Sequence, residues 1–227
     1  MKRQTPLVAL LIVNAIACIG TRVSAIAIPW FVLVTTGSAT QTGLVAACEL
    51  APYVIVKAMA GPITDRLGQR RVSIVTDLAS MIIIGLIPIA HLLGELSLPT
   101  LLIMVAIGGG LRGPGDNAKH TTVPLVAESV GAPLERVTGF YGAIERASGL
   151  VAPAIAAIMI NSVSAVGAIA VTTGCFGLSA LIVWLGLPRT LNVAPQQPES
   201  EPYLTRLSAG WSFLVKDRLL FTLVCMI

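Results

Sequence analysis

Charge-poor apolar runs of about twenty residues recur along the whole of this sequence, and an α-helix needs about 20 such residues to cross a hydrocarbon core ~30 Å thick. No other feature restricts the chain as much. Membrane-spanning β-strands alternate apolar with polar residues. These runs do not alternate, so they predict helices. Complete spans are expected at about 7–35, 42–61, 72–93, 99–123, 137–160 and 166–187. A further apolar run starts at Leu219 and reaches Ile227, which rises only about 13 Å and cannot cross. The predicted fold class is therefore all-α: a polytopic membrane protein with a six-helix transmembrane bundle and the start of a seventh helix. Charged residues make up 11% of the 227, against about 25% in a soluble domain, and mean hydropathy is +0.86. These values exclude a soluble enzyme, a disordered tail and a nucleic-acid binder, although the net charge is +4.

The basic residues set the predicted orientation, because Lys and Arg accumulate in cytoplasmic loops. The linkers 36–41, 94–98 and 161–165 contain neither. The opposite side carries Lys2, Arg3, Arg66, Arg70, Arg71, Arg136, Arg189, Arg206, Lys216 and Arg218, with Lys57 and Lys119 nearby. This predicts a multi-pass plasma-membrane protein with a cytoplasmic N-terminus. The first span is too long for a signal-peptide core, and Arg22 lies within it. Three units are expected: the bundle at 1–187, a cytoplasmic linker at 188–218, and a truncated seventh helix at 219–227. The linker is rich in Pro, Gln and Glu. Leu204, Leu207, Trp211 and Leu214 then recur at helical spacing, which predicts a short amphipathic helix on the membrane face. The four cysteines fall in apolar runs without a CxxC and read as buried structural thiols. Neither His91 nor His120 has a metal-ligand companion. HExxH and GxSxG are absent. No catalytic residue, metal site or cofactor is expected.

Between the second and third spans the sequence runs Gly61-Pro-Ile-Thr-Asp65-Arg66-Leu-Gly68-Gln-Arg70-Arg71. Gly61 would let the helix end approach a neighbour, and Gly68 would permit a tight turn. Asp65 is suited to pair with the adjacent arginines or with a helix N-terminus. The arginines would face anionic headgroups. This spacing, on the predicted cytoplasmic side, resembles the signature loop of the major facilitator superfamily. The stretch Gly20 to Trp30, followed by Thr36 to Gly43, resembles the first hairpin of that superfamily's bacterial drug- and siderophore-exporter branch. That branch contains macrolide-efflux-like and enterobactin-exporter-like proteins. Arg112-Gly-Pro-Gly-Asp116 fits one of its subgroups. The chain departs from the branch at Thr21, where many relatives carry Asp. The Gly-Pro pattern of helix five persists only as Gly139, Gly142, Gly149 and Pro153.

The resemblance implies alternating access between two six-helix bundles, of which this chain supplies the N-terminal one. The missing C-terminal half would come from the same gene or a separate chain. It also implies a small-molecule substrate, a proton as coupling partner, and a latch in the loop holding Gly61, Asp65, Arg66, Gly68, Arg70 and Arg71. Charges inside the spans are costly, about 2.5–3.5 kcal/mol each, and mark candidate sites. At 1.5 Å per residue, Arg22 and Glu49 match in depth, as do Arg112 and Glu145, and Lys57 and Asp77. These matches predict three ion pairs. Lys57–Asp77 is read as structural. Arg22, Glu49, Arg112, Asp116 and Glu145 are read as lining a cavity for substrate or proton, with Glu145 as the candidate titrating carboxylate. The competing expectation is a non-transporting half-size module that binds a partner or homodimerises.

Overall fold

A computed structural model describes residues 4–188. Its elements are α1 (Thr5–Thr36), α2 (Ala39–Leu67), α3 (Gln69–Leu92), α4 (Leu98–Val130) and α5 (Leu134–Gly186). The predicted linker and amphipathic helix (apart from Pro188), and the run from Leu219, lie outside the described residues. All five helices are long and apolar enough to cross a membrane.

The fifth helix is not one straight rod. It has 53 residues, which would extend about 80 Å if straight. At Ser164 the backbone leaves helical geometry (φ 73°, ψ 167°), a region that residues with a Cβ rarely occupy. Ser164 Oγ then accepts from Gly167 N (3.2 Å), as an N-cap does for a new helix. The chain reverses there, since Val137 and Tyr141 from before the break share one hydrophobic cluster with Val183 and Leu187 from after it. The two arms, 134–163 and 165–186, correspond to the fifth and sixth predicted runs.

The first four predicted spans each coincide with one helix, but the structure lengthens two of them. The second run was expected to end at 61, and α2 continues through Pro62 to Leu67. The fourth was expected to end at 123, and α4 continues through Pro124 to Val130. Polar residues in these last turns do not break the helix, because their hydroxyls bond back to its own carbonyls. Thr64 Oγ1 donates to Ala60 O (2.9 Å) and Thr122 Oγ1 to Ala118 O (2.7 Å).

The bundle is apolar outside and polar inside. Leu92 and Leu150 are 81% and 82% exposed, whereas Arg112 and Lys119 are 5% and 4% exposed. A water-soluble bundle would reverse that arrangement, because its apolar residues would drive the core. In lipid the exposed leucines are solvated and the polar groups must find partners inside. The main packing partners are α1 with α5, α2 with α4, and α3 with both α4 and α5. α2 and α4 approach closely because α4 presents Gly109 and Gly113. A Cβ on Gly109 would overlap the Glu49 carbonyl, and one on Gly113 would lie 2.7 Å from Lys57 N. This is the close-contact role that small residues play between membrane helices.

Candidate functional site

The loop motif forms a one-residue turn. α2 ends at Leu67, α3 begins at Gln69, and Gly68 between them has φ 84° and ψ 137°. A side chain would strain this conformation. The rest of the motif departs from expectation in three places. Among the described residues nothing lies within 4 Å of a Cβ built on Gly61, so that glycine mediates no close approach between them. Asp65 is exposed and forms no hydrogen bond or ion pair among the described residues. α2 is still helical at Asp65, so its carboxylate projects from the helix surface and does not fold onto the arginines. Arg70 does not simply face the headgroup region. Its Nε donates to Leu187 O (2.8 Å) and its Nη2 to Trp184 O (2.6 Å). It thereby satisfies carbonyls left open at the end of α5 and places a cation at the negative end of that helix. Arg66 and Arg71 are exposed.

Inside the bundle a cavity of about 410 Å³ opens between α1, α2, α4 and the first arm of α5. All five predicted cavity residues line it: Arg22, Glu49, Arg112, Asp116 and Glu145. Arg112 and Asp116, four residues apart on α4, share its wall. Lys119 also reaches this wall, a residue that the expected end of the fourth span had left near a helix terminus. Lys57 and Asp77 are not in it.

The ion pairs differ from those inferred from depth. Arg112 pairs with Glu49, not with Glu145. Its Nη2 donates to Ser24 Oγ (3.0 Å), its guanidinium carbon lies 5.3 Å from the centre of the Phe176 ring, and its Nε is buried without a partner. One side chain thus ties α4 to α2, α1 and the second arm of α5. Asp77 pairs with Lys119, not with Lys57, at 2.8 Å, and accepts from Ser179 Oγ at 2.6 Å. Arg22 reaches Glu145 rather than Glu49, and does so through the backbone: Nη2 to Glu145 O, 3.4 Å. Gly149 leaves room for that guanidinium. The physical reason is common to all three. Depth fixes a residue along the membrane normal but not around the helix axis, and contact needs both coordinates.

The remaining charges form an open chain. Lys57 Nζ donates to Tyr53 Oη (2.8 Å), and the Tyr53 hydroxyl donates to Asp116 Oδ2 (3.1 Å). Glu145 Oε2 lies 3.6 Å from His120 Nε2, a half-exposed contact. The His120 ring meets Tyr141 edge-on at 4.8 Å. Asn14 Nδ2 donates to Tyr141 O (3.1 Å). The adjacent Arg146 faces a separate shallow groove with Glu135 and Thr138. Sequence reasoning missed Tyr53, Ser24, Ser179 and Asn14. Only Tyr53 carried a usable signal, its i,i+4 spacing to Lys57. A serine in an apolar run has no distinguishing pattern.

The sequence profile of the Major Facilitator Superfamily matches residues 10–227. The chain belongs to that superfamily. Among curated superfamily proteins, the multidrug efflux pump Tap of Mycobacterium tuberculosis is 32% identical over 181 residues, covering 78% of this chain and 43% of that protein. The same figures hold for the Tap of Mycobacterium bovis. The Tap of Mycolicibacterium fortuitum is 28% identical over 184 residues, covering 80% of this chain and 45% of that protein. The chain is thus drug-exporter-like over its N-terminal part, and it spans a little under half the length of these superfamily relatives. It is a multi-pass cell-membrane protein of a transporter family, not of an enzyme family.

Proposed function

We propose that the chain is the N-terminal six-pass bundle of a secondary transporter that exports a small amphipathic compound (a drug, siderophore or metabolite) by alternating access. The observation that carries this reading is the cavity of about 410 Å³, walled by charged residues inside helices whose outward faces are apolar. Ionisable side chains around a chamber at membrane depth are costly and mark a solute path. The relatives named as multidrug efflux pumps support export over import. They do not favour the half-size module.

In this reading the opposing cavity wall comes from a C-terminal half, and the two halves rock about the cavity. A proton drives export by titrating a carboxylate on its wall, Glu145 or Asp116. The loop with Asp65 latches one state by contacting the other half. Its support is the exposed Asp65 carboxylate, which lies beside the Gly68 turn and has no hydrogen bond or ion pair among the described residues. The N-terminus is cytoplasmic, as the basic side implies.

The test is drug accumulation in cells carrying the complete reading frame. Wild-type protein lowers accumulation, and Glu145→Gln, Asp116→Asn and Asp65→Asn each impair that. Full export by all three variants would remove the assigned roles. For orientation, a tag at Ser38 or Ser162 should react from outside intact cells. Labelling only after permeabilisation would invert the topology.

A further inference from the structure

The buried face of α3 changes character along its length. In the C-terminal half it is apolar, with Ile84 and Ile87. In the half next to the Gly68 turn it is polar, and Gln69, Ser73, Thr76 and Asp77 are all buried there. Asp77 is satisfied by Lys119 and Ser179. The Thr76 hydroxyl bonds back to Val72 O (2.8 Å). The other two side chains are not satisfied. Gln69 Oε1 and Ser73 Oγ are buried and have no hydrogen-bond partner among the described residues. Such orphans are costly, and nearly all buried polar atoms in folded proteins have a partner in the protein or in ordered water.

The spacing names the missing partner. Gln69, Ser73 and Asp77 recur at every fourth residue, so they form one row on α3 with steps of about 6 Å. That is the span of one water molecule making two hydrogen bonds of about 2.8 Å. Lys119 at one end of the row and Arg70 at the other disfavour a cation, and Asp77 disfavours an anion. A neutral ligand remains.

The neighbouring helices close the row into a seam. Gly115 of α4 abuts Thr76, and Lys119 reaches Asp77. Thr122 lies one turn further along the antiparallel α4 and so comes level with Ser73. It is buried and donates to Ala118 O, which leaves its oxygen able to accept. On the other flank the second arm of α5 brings Ser179 to Asp77, and Trp184 and Leu187 to Arg70.

We propose that this seam binds water: one molecule between Asp77 and Ser73, and one between Ser73 and Gln69. The two form a file that links the Lys119–Asp77 pair to the Gly68 end of the bundle. Lys119 also reaches the wall of the central cavity, so the file is a second water route to that pair, separate from the cavity. It does not depend on the transport reading.

Water-edited solid-state NMR on the isotopically labelled 227-residue chain in lipid bilayers reads the file directly. Ser73 Cβ and the Gln69 side-chain amide should receive magnetisation from water at least about threefold faster than the side chains of Ile84 and Ile87, which are buried on the same helix. Equal rates overturn the proposal, and this comparison needs no variant. Ser73→Val places an apolar side chain in the middle of the row. It should cut the transfer to the Asp77 carboxyl carbon by at least about half and leave Gln69 unchanged. Undiminished transfer at Asp77 means that its water comes from the cavity, and overturns the file. Loss of transfer at Gln69 as well overturns the link to the Gly68 end.

Discussion

Two sets of charges lie within one bundle and are held in opposite ways. In the inner set, Arg112 with Glu49 and Lys119 with Asp77, every charge has a counter-charge, and the pairs are extended by Ser24, Ser179 and Phe176. In the rim set, Arg22, Lys57, Asp116 and Glu145, contacts go to hydroxyls, a backbone carbonyl or a half-exposed histidine. The difference teaches which charges belong to the fold and which are free for chemistry. A buried pair adds little over an apolar substitute, yet losing one partner strands the other in low dielectric. The inner charges therefore act as braces whose removal should damage stability. The rim charges keep unused electrostatic capacity, and their removal should leave the fold standing.

The largest expected effect breaks a brace. Asp77→Ala strands Lys119, which is 4% exposed, and should cost about 3–5 kcal/mol in unfolding experiments in mild detergent. A loss below about 1 kcal/mol would place Asp77 with the rim set. Next is the close approach that allows the Arg112–Glu49 pair. Gly109→Val forces a side chain against the Glu49 carbonyl and should destabilise by about 1–3 kcal/mol. The same change at Gly142, whose Cβ position is open, should not. Arg70→Ala removes two hydrogen bonds to the end of α5 and should cost about 1 kcal/mol. Faster hydrogen exchange at residues 184–187 would localise that loss. The smallest effect sharpens the other side of the comparison. His120→Gln removes a half-exposed contact with Glu145 and the edge-on ring contact with Tyr141 and should change stability by about 0.5 kcal/mol.

Much of the architecture was legible from hydropathy, since lipid demands helices and a fixed minimum length. The break between the last two runs was legible as the polar stretch Asn161–Ala165, and the chain reverses within it at Ser164. The ends of α2 and α4 were not, because Pro62, Pro124 and the threonines near them look like terminators in a linear reading. The fold tolerates the prolines inside helices and lets the threonines bond back. The cavity residues were legible because an ionisable group in a span has few other places to point. Their pairing was not. Glu49 has Arg22 near its depth, yet it pairs with Arg112, which Gly109 on α4 brings close. Sequence spacing contains no azimuth between different helices. Asp77 was assigned to Lys57 for the same reason, and because Lys119 was read as lying near the cytoplasmic end of its span.

A double-mutant cycle on Glu49 tests the division between braces and rim most directly. Unfolding free energies of Glu49→Gln, Arg112→Gln and the double variant should give a coupling of about 2–3 kcal/mol, while the matching cycle with Arg22→Gln gives less than about 0.5 kcal/mol. Additivity in the Arg112 cycle, or strong coupling to Arg22, would contradict the account.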